Sequence, residues 1–112
     1  MQPDDRVRIL HMIEAAEAAL GFVAGRQRVD LDTDQMLLFA LVRAIEIVGE
    51  AAGRVSPEAR ASAPTIPWSL IVATRNRLIH AYFDIDRDIL WHTVTVELPA
   101  LLAALRALLP DA

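Results

Sequence analysis

Glycine and proline divide this sequence into four stretches, and within each stretch apolar residues recur at intervals of three or four. That spacing places apolar side chains along one face of an α-helix, whereas a half-buried strand would alternate apolar and polar residues. The pattern predicts helices over residues 3–25, 32–53, 67–80 and 86–108. With a short segment after Ser56 counted as well, the sequence favours an all-α, antiparallel bundle of four to five helices.

The connections between these helices have signals of their own. Residues 26–31 are predicted to form a loop, residues 84–86 a turn, and Ser56 the cap of a short helix. Asp86 is a suitable cap for the fourth long helix. Pro99 lies inside that helix, where it has no N–H to donate, so the sequence predicts a kink or a break there.

Length and composition limit the class of protein. The 112 residues suit one domain, and the absence of cysteine excludes disulfides and cysteine-bound metals. Because only three histidines are present, neither a metal nor another cofactor is predicted. The N-terminus opens with acidic residues rather than a signal peptide, and no uncharged apolar run is long enough to span a membrane. We therefore expect a single cytoplasmic domain, residues 1–112, with no membrane association.

The charge and the apolar content bear on partners. A formal net charge of −4 disfavours general binding to polyanions, and DNA is not an expected partner. Every basic residue is arginine, whose planar guanidinium suits phosphate and carboxylate groups. The apolar fraction of 54% is high for a chain of this length. Excess apolar surface favours self-association, so we expect a homodimer.

Polar residues of the predicted third helix form the candidate site. At about 100° per residue, Asn76 and His80 share one face of that helix, whereas Arg75 lies among the apolar residues of another. An arginine on an apolar face needs a partner, because an unpaired buried charge is strongly destabilising. From spacing alone, a structural role is the simpler interpretation, in which His80 caps the helix and Arg75 ties two helices together.

The predicted second helix has a polar stripe that could supply this partner. The stripe consists of Arg43, Glu46 and Glu50. Either glutamate could pair with Arg75 or orient His80, and the spacing does not decide between them.

The segment RNRLIHAY, residues 75–82, resembles the signature of HEPN domains, in which an arginine is followed by four to six residues and then a histidine. Its form, Arg-x4-His-x-Tyr, is that of HepT-like toxins. Flanking residues are similar as well: RAIEIVGEAA at 43–52, IPW at 66–68, and FDID at 83–86 followed by Leu90 and Trp91. The resemblance covers at least residues 33–102, and it departs from the family pattern at Ala81, where an acidic residue is common.

The resemblance implies a helical homodimer that cleaves RNA without a metal, as the toxin of a type II or type VII toxin–antitoxin pair. The implied partner is a small nucleotidyltransferase of the MntA type, an antitoxin that neutralises the toxin by transferring AMP to the motif tyrosine, here Tyr82. The implied catalytic residues are Arg75 and His80, with Asn76, Glu46 and Arg43 in support.

Helix geometry adds an expectation about assembly. Residues five apart on an intact helix differ by about 140° in direction, so Arg75 and His80 of one chain would not face the same phosphate. A two-fold dimer with its third helices face to face would pool both residues from two chains in one cleft, with Arg77 and Arg43 adding positive charge. The alternative is a non-catalytic helical module that binds a nucleotide or a nucleotidyltransferase.

Overall fold

The computed structural model describes residues 1–81 and 84–111, apart from the side chains of His80 and Ala81. The described residues form helices α1 (Pro3–Val23), α2 (Asp30–Thr33), α3 (Gln35–Gly53), α4 (Pro57–Ala61) and α5 (Trp68–Leu78), strands β1 (Ile79–Ala81) and β2 (Asp84–Ile85), and helices α6 (Arg87–His92) and α7 (Leu98–Leu108). A π-helical turn, Thr93–Glu97, joins α6 to α7. The predicted all-α bundle is confirmed.

Helix α3 lies between α1 and α5, and α1 also packs against α7. Asp5 near the start of α1 binds Ser56 just beyond the end of α3, so these two helices run antiparallel. Glu46 binds Arg75 near the end of α5, and Gly49, further along α3, lies against the carbonyl of Ile71, one turn nearer the start of α5. Helices α3 and α5 are therefore antiparallel too. The most deeply buried side chains come from all the long helices: Ile9, Met12, Leu41, Leu78, Leu90, Val94 and Leu105.

Two of the predicted helix boundaries follow from local signals. Gly25 adopts a φ of 72°, a left-handed conformation that suits glycine, just after α1 ends. Asp34 caps α3, since its side-chain oxygen accepts a hydrogen bond from the backbone N–H of Leu37 at 3.0 Å.

The predicted loop over residues 26–31 is wrong in its second half, where α2 begins at Asp30. The Arg26 side chain bridges Asp30 and Asp34, with Nη2 2.6 Å from the Asp34 carboxylate. Asp30 also accepts a hydrogen bond from the backbone N–H of Gln27 at 2.7 Å. These polar contacts stabilise a single turn of helix that apolar periodicity cannot reveal.

The third helix ends two residues earlier than predicted, and the predicted turn at 84–86 is wrong. Helix α5 ends at Leu78, and β1 pairs antiparallel with β2, Ile79 opposite Ile85. The backbone N–H of Asp86 donates to the carbonyl oxygen of Leu78 at 2.7 Å. If the helix continued, the Leu78 carbonyl would accept a hydrogen bond from the N–H four residues later. It accepts from Asp86 instead. Asp86 caps α6 as predicted, accepting from the N–H of Ile89 at 3.0 Å.

At the kink or break predicted for Pro99, the structure has the π-helical turn. Pro99 is the second residue of α7 and follows the last residue of that turn, Glu97, by two positions. In a regular α-helix its ring would clash with the carbonyl four residues earlier, and the wider π turn removes that conflict without ending the helix.

Within the described residues, one helix, Arg87–Leu108, is long and apolar enough to cross a membrane by length and composition, with a mean hydropathy of 1.3. This is weak support for a membrane span, because the core helix of a soluble protein meets the same criterion. Here Val94, Leu98 and Leu105 of that helix are buried in the bundle.

A buried carboxylate joins the start of α1 to the start of α4. Asp5 is only 4% exposed and accepts hydrogen bonds from the Oγ of Ser56 at 2.7 Å and from its backbone N–H at 2.8 Å. The side-chain bond above all, and then the backbone bond, hold the pKa of Asp5 below its ordinary value, because both stabilise the ionised form.

We expect Asp5→Asn to lower Tm at pH 7, since the amide loses the charge that strengthens both bonds. Because the folded-state pKa is lowered, the stabilisation is fully present above the ordinary aspartate pKa of about 3.9 and is lost as pH falls through the folded value. The Tm deficit should therefore narrow in acid, as thermal unfolding followed by circular dichroism would measure. The control is Asp4→Asn, which removes an exposed charge from the same helical turn. Equal Tm values for the two variants at pH 7 would contradict the prediction.

Candidate functional site

The candidate motif lies across the junction between α5 and β1. Arg75 and Asn76 occupy the last turn of α5, and the backbone of His80 lies in β1. The expectation that His80 lies on the helix is wrong, because the chain leaves helical geometry at Ile79, where φ is −115° and ψ is 104°. Tyr82 and the side chain of His80 lie outside the described residues.

Glu46 is the partner of Arg75. Its Oε2 atom lies 3.0 Å from the Nε of Arg75, and the two side chains are 23% and 54% exposed. Arg75 is thus a surface arginine rather than the buried one that the apolar face predicted. Among the described residues, its terminal nitrogens have no hydrogen-bond partner, so the outer edge of the guanidinium is open to solvent. A guanidinium held in this way can bind two oxygens of a phosphate or a carboxylate.

Glu50 pairs with Arg43 instead. The Oε1 of Glu50 lies 3.5 Å from Nη1 of Arg43, and both side chains are more than half exposed. The open question of which glutamate contacts Arg75 is settled by the register of α3 against α5. Arg43 stands one turn before Glu46 on α3, so its positive charge lies beside the Arg75–Glu46 pair.

The two other polar residues of the motif point in different directions. Asn76 is exposed and makes no hydrogen bond to another described side chain, so it is accessible to a ligand. Arg77 is half-buried, and its Nη2 lies 3.5 Å from Oε1 of Glu97 in the π-helical turn. Its Nη1 atom is buried without a partner among the described residues. Within this chain Arg77 therefore faces the C-terminal helix, through its contact with Glu97, rather than Glu46 and Arg75.

Sequence reasoning missed a polar cluster around Glu97. This carboxylate contacts both Arg77 and Nδ1 of His92, each at 3.5 Å. His92 and Glu97 are five residues apart, which on an α-helix would turn them about 140° away from each other. The intervening π-helical turn brings them to the same side, and only that local geometry could have revealed the cluster.

Within residues 1–81 and 84–111, no group of three or more His, Cys, Asp and Glu side chains is arranged to hold a metal ion. The described residues offer the Arg75 guanidinium held at its Nε, the neighbouring amide of Asn76, and Arg43 nearby on α3. These groups suit an anionic ligand.

Comparisons with known proteins place this motif in context. Residues 12–108 match the family described as Ribonuclease HepT-like. A protein of Thermococcus cleftensis named "Probable ribonuclease HepT" is 40% identical over 72 residues, which cover 64% of this chain and 66% of the relative.

Two further relatives bear the name "Putative RNase". One, from Methanocaldococcus jannaschii, is 32% identical over 96 residues, or 86% of this chain and 88% of the relative. The other, from Caldanaerobacter subterraneus subsp. tengcongensis, is 35% identical over 91 residues, or 81% of each chain. No solved structure matches the chain.

Removing the Arg75–Glu46 pair should change stability only slightly, because one partner is more than half exposed and its charge is screened by water. A double-mutant cycle with Arg75→Gln and Glu46→Gln, measured by urea unfolding, should give a coupling free energy of about 0.2–1 kcal/mol. The longer and more exposed pair Arg43–Glu50 is the matched control, and its coupling should be smaller still. A coupling of about 3 kcal/mol or more, typical of buried pairs, would indicate a structural tie between the helices.

Proposed function

The chain belongs to the ribonuclease HepT-like family, and from that membership we propose that it is a metal-independent endoribonuclease, the toxin of a toxin–antitoxin pair, with Arg75 and His80 as catalytic residues. The main structural support is the contact of Glu46 with Arg75. It fixes the guanidinium through Nε and leaves both terminal nitrogens uncommitted among the described residues. An arginine that served only to tie two helices would be expected to use the whole guanidinium for that purpose.

The reaction that suits these groups is transesterification within RNA. The ribose 2′-oxygen loses its proton to a base and attacks the adjacent phosphorus, and the bond from phosphorus to the 5′-oxygen breaks as that oxygen gains a proton. The products are a 2′,3′-cyclic phosphate and a free 5′-hydroxyl. An imidazole can accept or donate a proton near neutral pH, a role worth about 10²–10⁴ in rate, and we assign it to His80.

Arg75 would stabilise the negative charge on the non-bridging oxygens of the phosphorane. Removing one such donor from a preorganised site typically costs about 10²–10³ in kcat. Glu46 acts as a positioning residue, because it sets the direction of the guanidinium without reaching the substrate. Asn76 and Arg43, both exposed beside this pair, would add a hydrogen-bond donor and a second positive charge.

We also propose that the active form is a two-fold homodimer. Met36 and Phe39 are 84% and 54% exposed on the α3 face that includes Arg43, and Val72 of the adjacent helix α5 is 42% exposed. Apolar surface next to the site is consistent with a second copy covering part of it. The helix-angle reason for a dimer no longer applies, because His80 follows the helix rather than lying on it. The proposed location is the cytoplasm, where cellular RNA is accessible.

Purified protein incubated with RNA in excess EDTA should cleave it, and the products should end in a 2′,3′-cyclic phosphate. We expect His80→Ala to lower the rate by about 10²–10⁴ and Arg75→Ala by about 10²–10³. The measurement is single-turnover cleavage of a labelled single-stranded RNA. Arg106→Ala, which removes an exposed arginine paired with Glu17 on the far side of α1, is the control and should cleave normally. Wild-type activity that disappears in EDTA would contradict the metal-independent reaction.

The proposed antitoxin is a small nucleotidyltransferase that transfers AMP from ATP to the phenolic oxygen of Tyr82, which loses its proton, and releases pyrophosphate. This assignment rests on the sequence motif, since Tyr82 lies outside the described residues. The added phosphate would repel the RNA backbone from the same site. Tyr82→Phe should therefore remain toxic in cells that express the partner, as growth assays and mass spectrometry of the recovered protein would measure. Loss of toxicity when the partner is expressed, with no modification of the variant, would overturn this model.

A non-catalytic module that binds a nucleotide is the alternative. In that case neither the wild-type protein nor His80→Ala cleaves RNA. The wild-type protein binds a nucleotide, and Arg75→Ala binds it more weakly. The same set of proteins therefore distinguishes the two functions.

A further inference from the structure

Nearly all arginines of this protein have a partner. Among the described residues, nine of the eleven contact a carboxylate or a backbone carbonyl: Arg6, Arg26, Arg28, Arg43, Arg60, Arg75, Arg77, Arg87 and Arg106. Within that part of the chain, Arg8 and Arg54 have no such contact. In a protein with 15 acidic residues, unpaired arginines are unexpected.

The two unpaired arginines lie in the same groove. This groove, between α1 and α3, has a volume of about 80 Å³ and is lined by Arg8, His11, Ile47, Glu50, Ala51 and Arg54. The antiparallel packing of α1 on α3 brings the first turns of one helix beside the last turns of the other. That packing explains how residues 46 positions apart meet.

The lining of the groove contains two arginines and fewer acidic than basic side chains. Its lining contains one carboxylate, Glu50, which is already paired with Arg43. Asp4 and Asp5 border Arg54 in an adjoining surface depression. Asp5 is bound to Ser56, and among the described residues neither carboxylate forms an ion pair with Arg54. Two guanidinium groups in one groove repel each other, and a bound anion would relieve that repulsion.

The groove continues the surface of the proposed catalytic site. Glu46, Glu50 and the C-cap residue Arg54 follow each other at four-residue intervals along α3, each turned by about 40° around the axis from the one before. At 1.5 Å per residue, Arg54 lies about 12 Å along the helix from the glutamate that holds Arg75. A few nucleotides of single-stranded RNA can span that distance.

We propose that the groove formed by Arg8, His11 and Arg54 is a phosphate-binding subsite for the RNA strand, outside the linkage that is cleaved. This inference rests on the proposed function. The arginines bind backbone phosphate oxygens, and the His11 ring can donate a further hydrogen bond. Phosphate contacts fix the position of a strand without reading its bases, so the subsite contributes affinity and register rather than sequence preference.

The test compares two double variants with the same change in charge. Arg8→Gln with Arg54→Gln removes the groove arginines, and Arg87→Gln with Arg106→Gln removes two exposed arginines elsewhere. Both are made in the His80→Ala protein, so that the RNA stays intact. Fluorescence anisotropy measures binding of a labelled single-stranded RNA at several NaCl concentrations. Thermal unfolding confirms that each protein is folded.

We expect the groove variant to bind RNA at least about tenfold more weakly than the control variant at low salt. The slope of log K against log salt should become shallower by about 0.7 for each phosphate that the protein no longer neutralises, about 1.4 in all. Equal RNA affinities and equal slopes for the two double variants would overturn the proposal. The same result is expected if the groove binds an acidic protein rather than RNA.

The outcome is separable from that of the proposed function. If the wild-type protein fails to cleave RNA but the groove variant shows the expected weaker affinity and shallower slope, the ribonuclease proposal fails and the RNA subsite stands. If the wild type cleaves RNA through His80 and the groove variant binds like the control, the subsite proposal fails alone.

Discussion

The close packing of α3 against α5 is the contact on which the candidate site depends. At Gly49 a Cβ atom would lie 3.4 Å from the carbonyl oxygen of Ile71, an ordinary van der Waals contact, so the two backbones are about as near as a small residue allows. Gly53, one turn later, faces the side chain of Val72, whose Cγ2 would lie 3.9 Å from a Cβ atom there. With the two backbones this near, the medium-length side chain of Glu46 reaches the Nε of Arg75 at the end of α5. A side chain longer than that of alanine at position 49 would meet the α5 backbone and disturb the contact that places Glu46 beside Arg75.

The helices and their caps were predictable because their signals are local. Apolar periodicity, the Asp34 and Ser56 caps and the left-handed Gly25 all act within a few residues of the boundaries they define. The β1–β2 pairing was not predictable, since two strands of three and two residues are too short to show an alternating pattern. Helix α2 was missed for a related reason. Ion pairs around Arg26 stabilise it, rather than an apolar face.

The sequence names the residues of the candidate site but does not give their arrangement. The motif and the polar stripe of α3 identified Arg75 and two candidate glutamates, yet only the register between helices assigns Glu46 to Arg75 and Glu50 to Arg43. The contact of Arg77 with Glu97 was not predicted, because it depends on the π-helical turn that presents this carboxylate to the end of α5. The family match covers residues 12–108, a range that includes the motif, but it does not orient any of these side chains.

The π-helical turn has a consequence for how the length of this chain can vary. Such a turn holds one more residue than the α-helical turn it replaces, so the helix beyond it is rotated by about 100° relative to an uninterrupted one. The turn lies directly before Pro99 and within a helix that is buried on one side. Deleting one residue of this turn would restore an α-helical turn and leave the residues on either side in place, but the Pro99 ring would then meet the carbonyl four residues earlier. A related sequence can therefore lack the extra residue and keep the same core if it also lacks the proline.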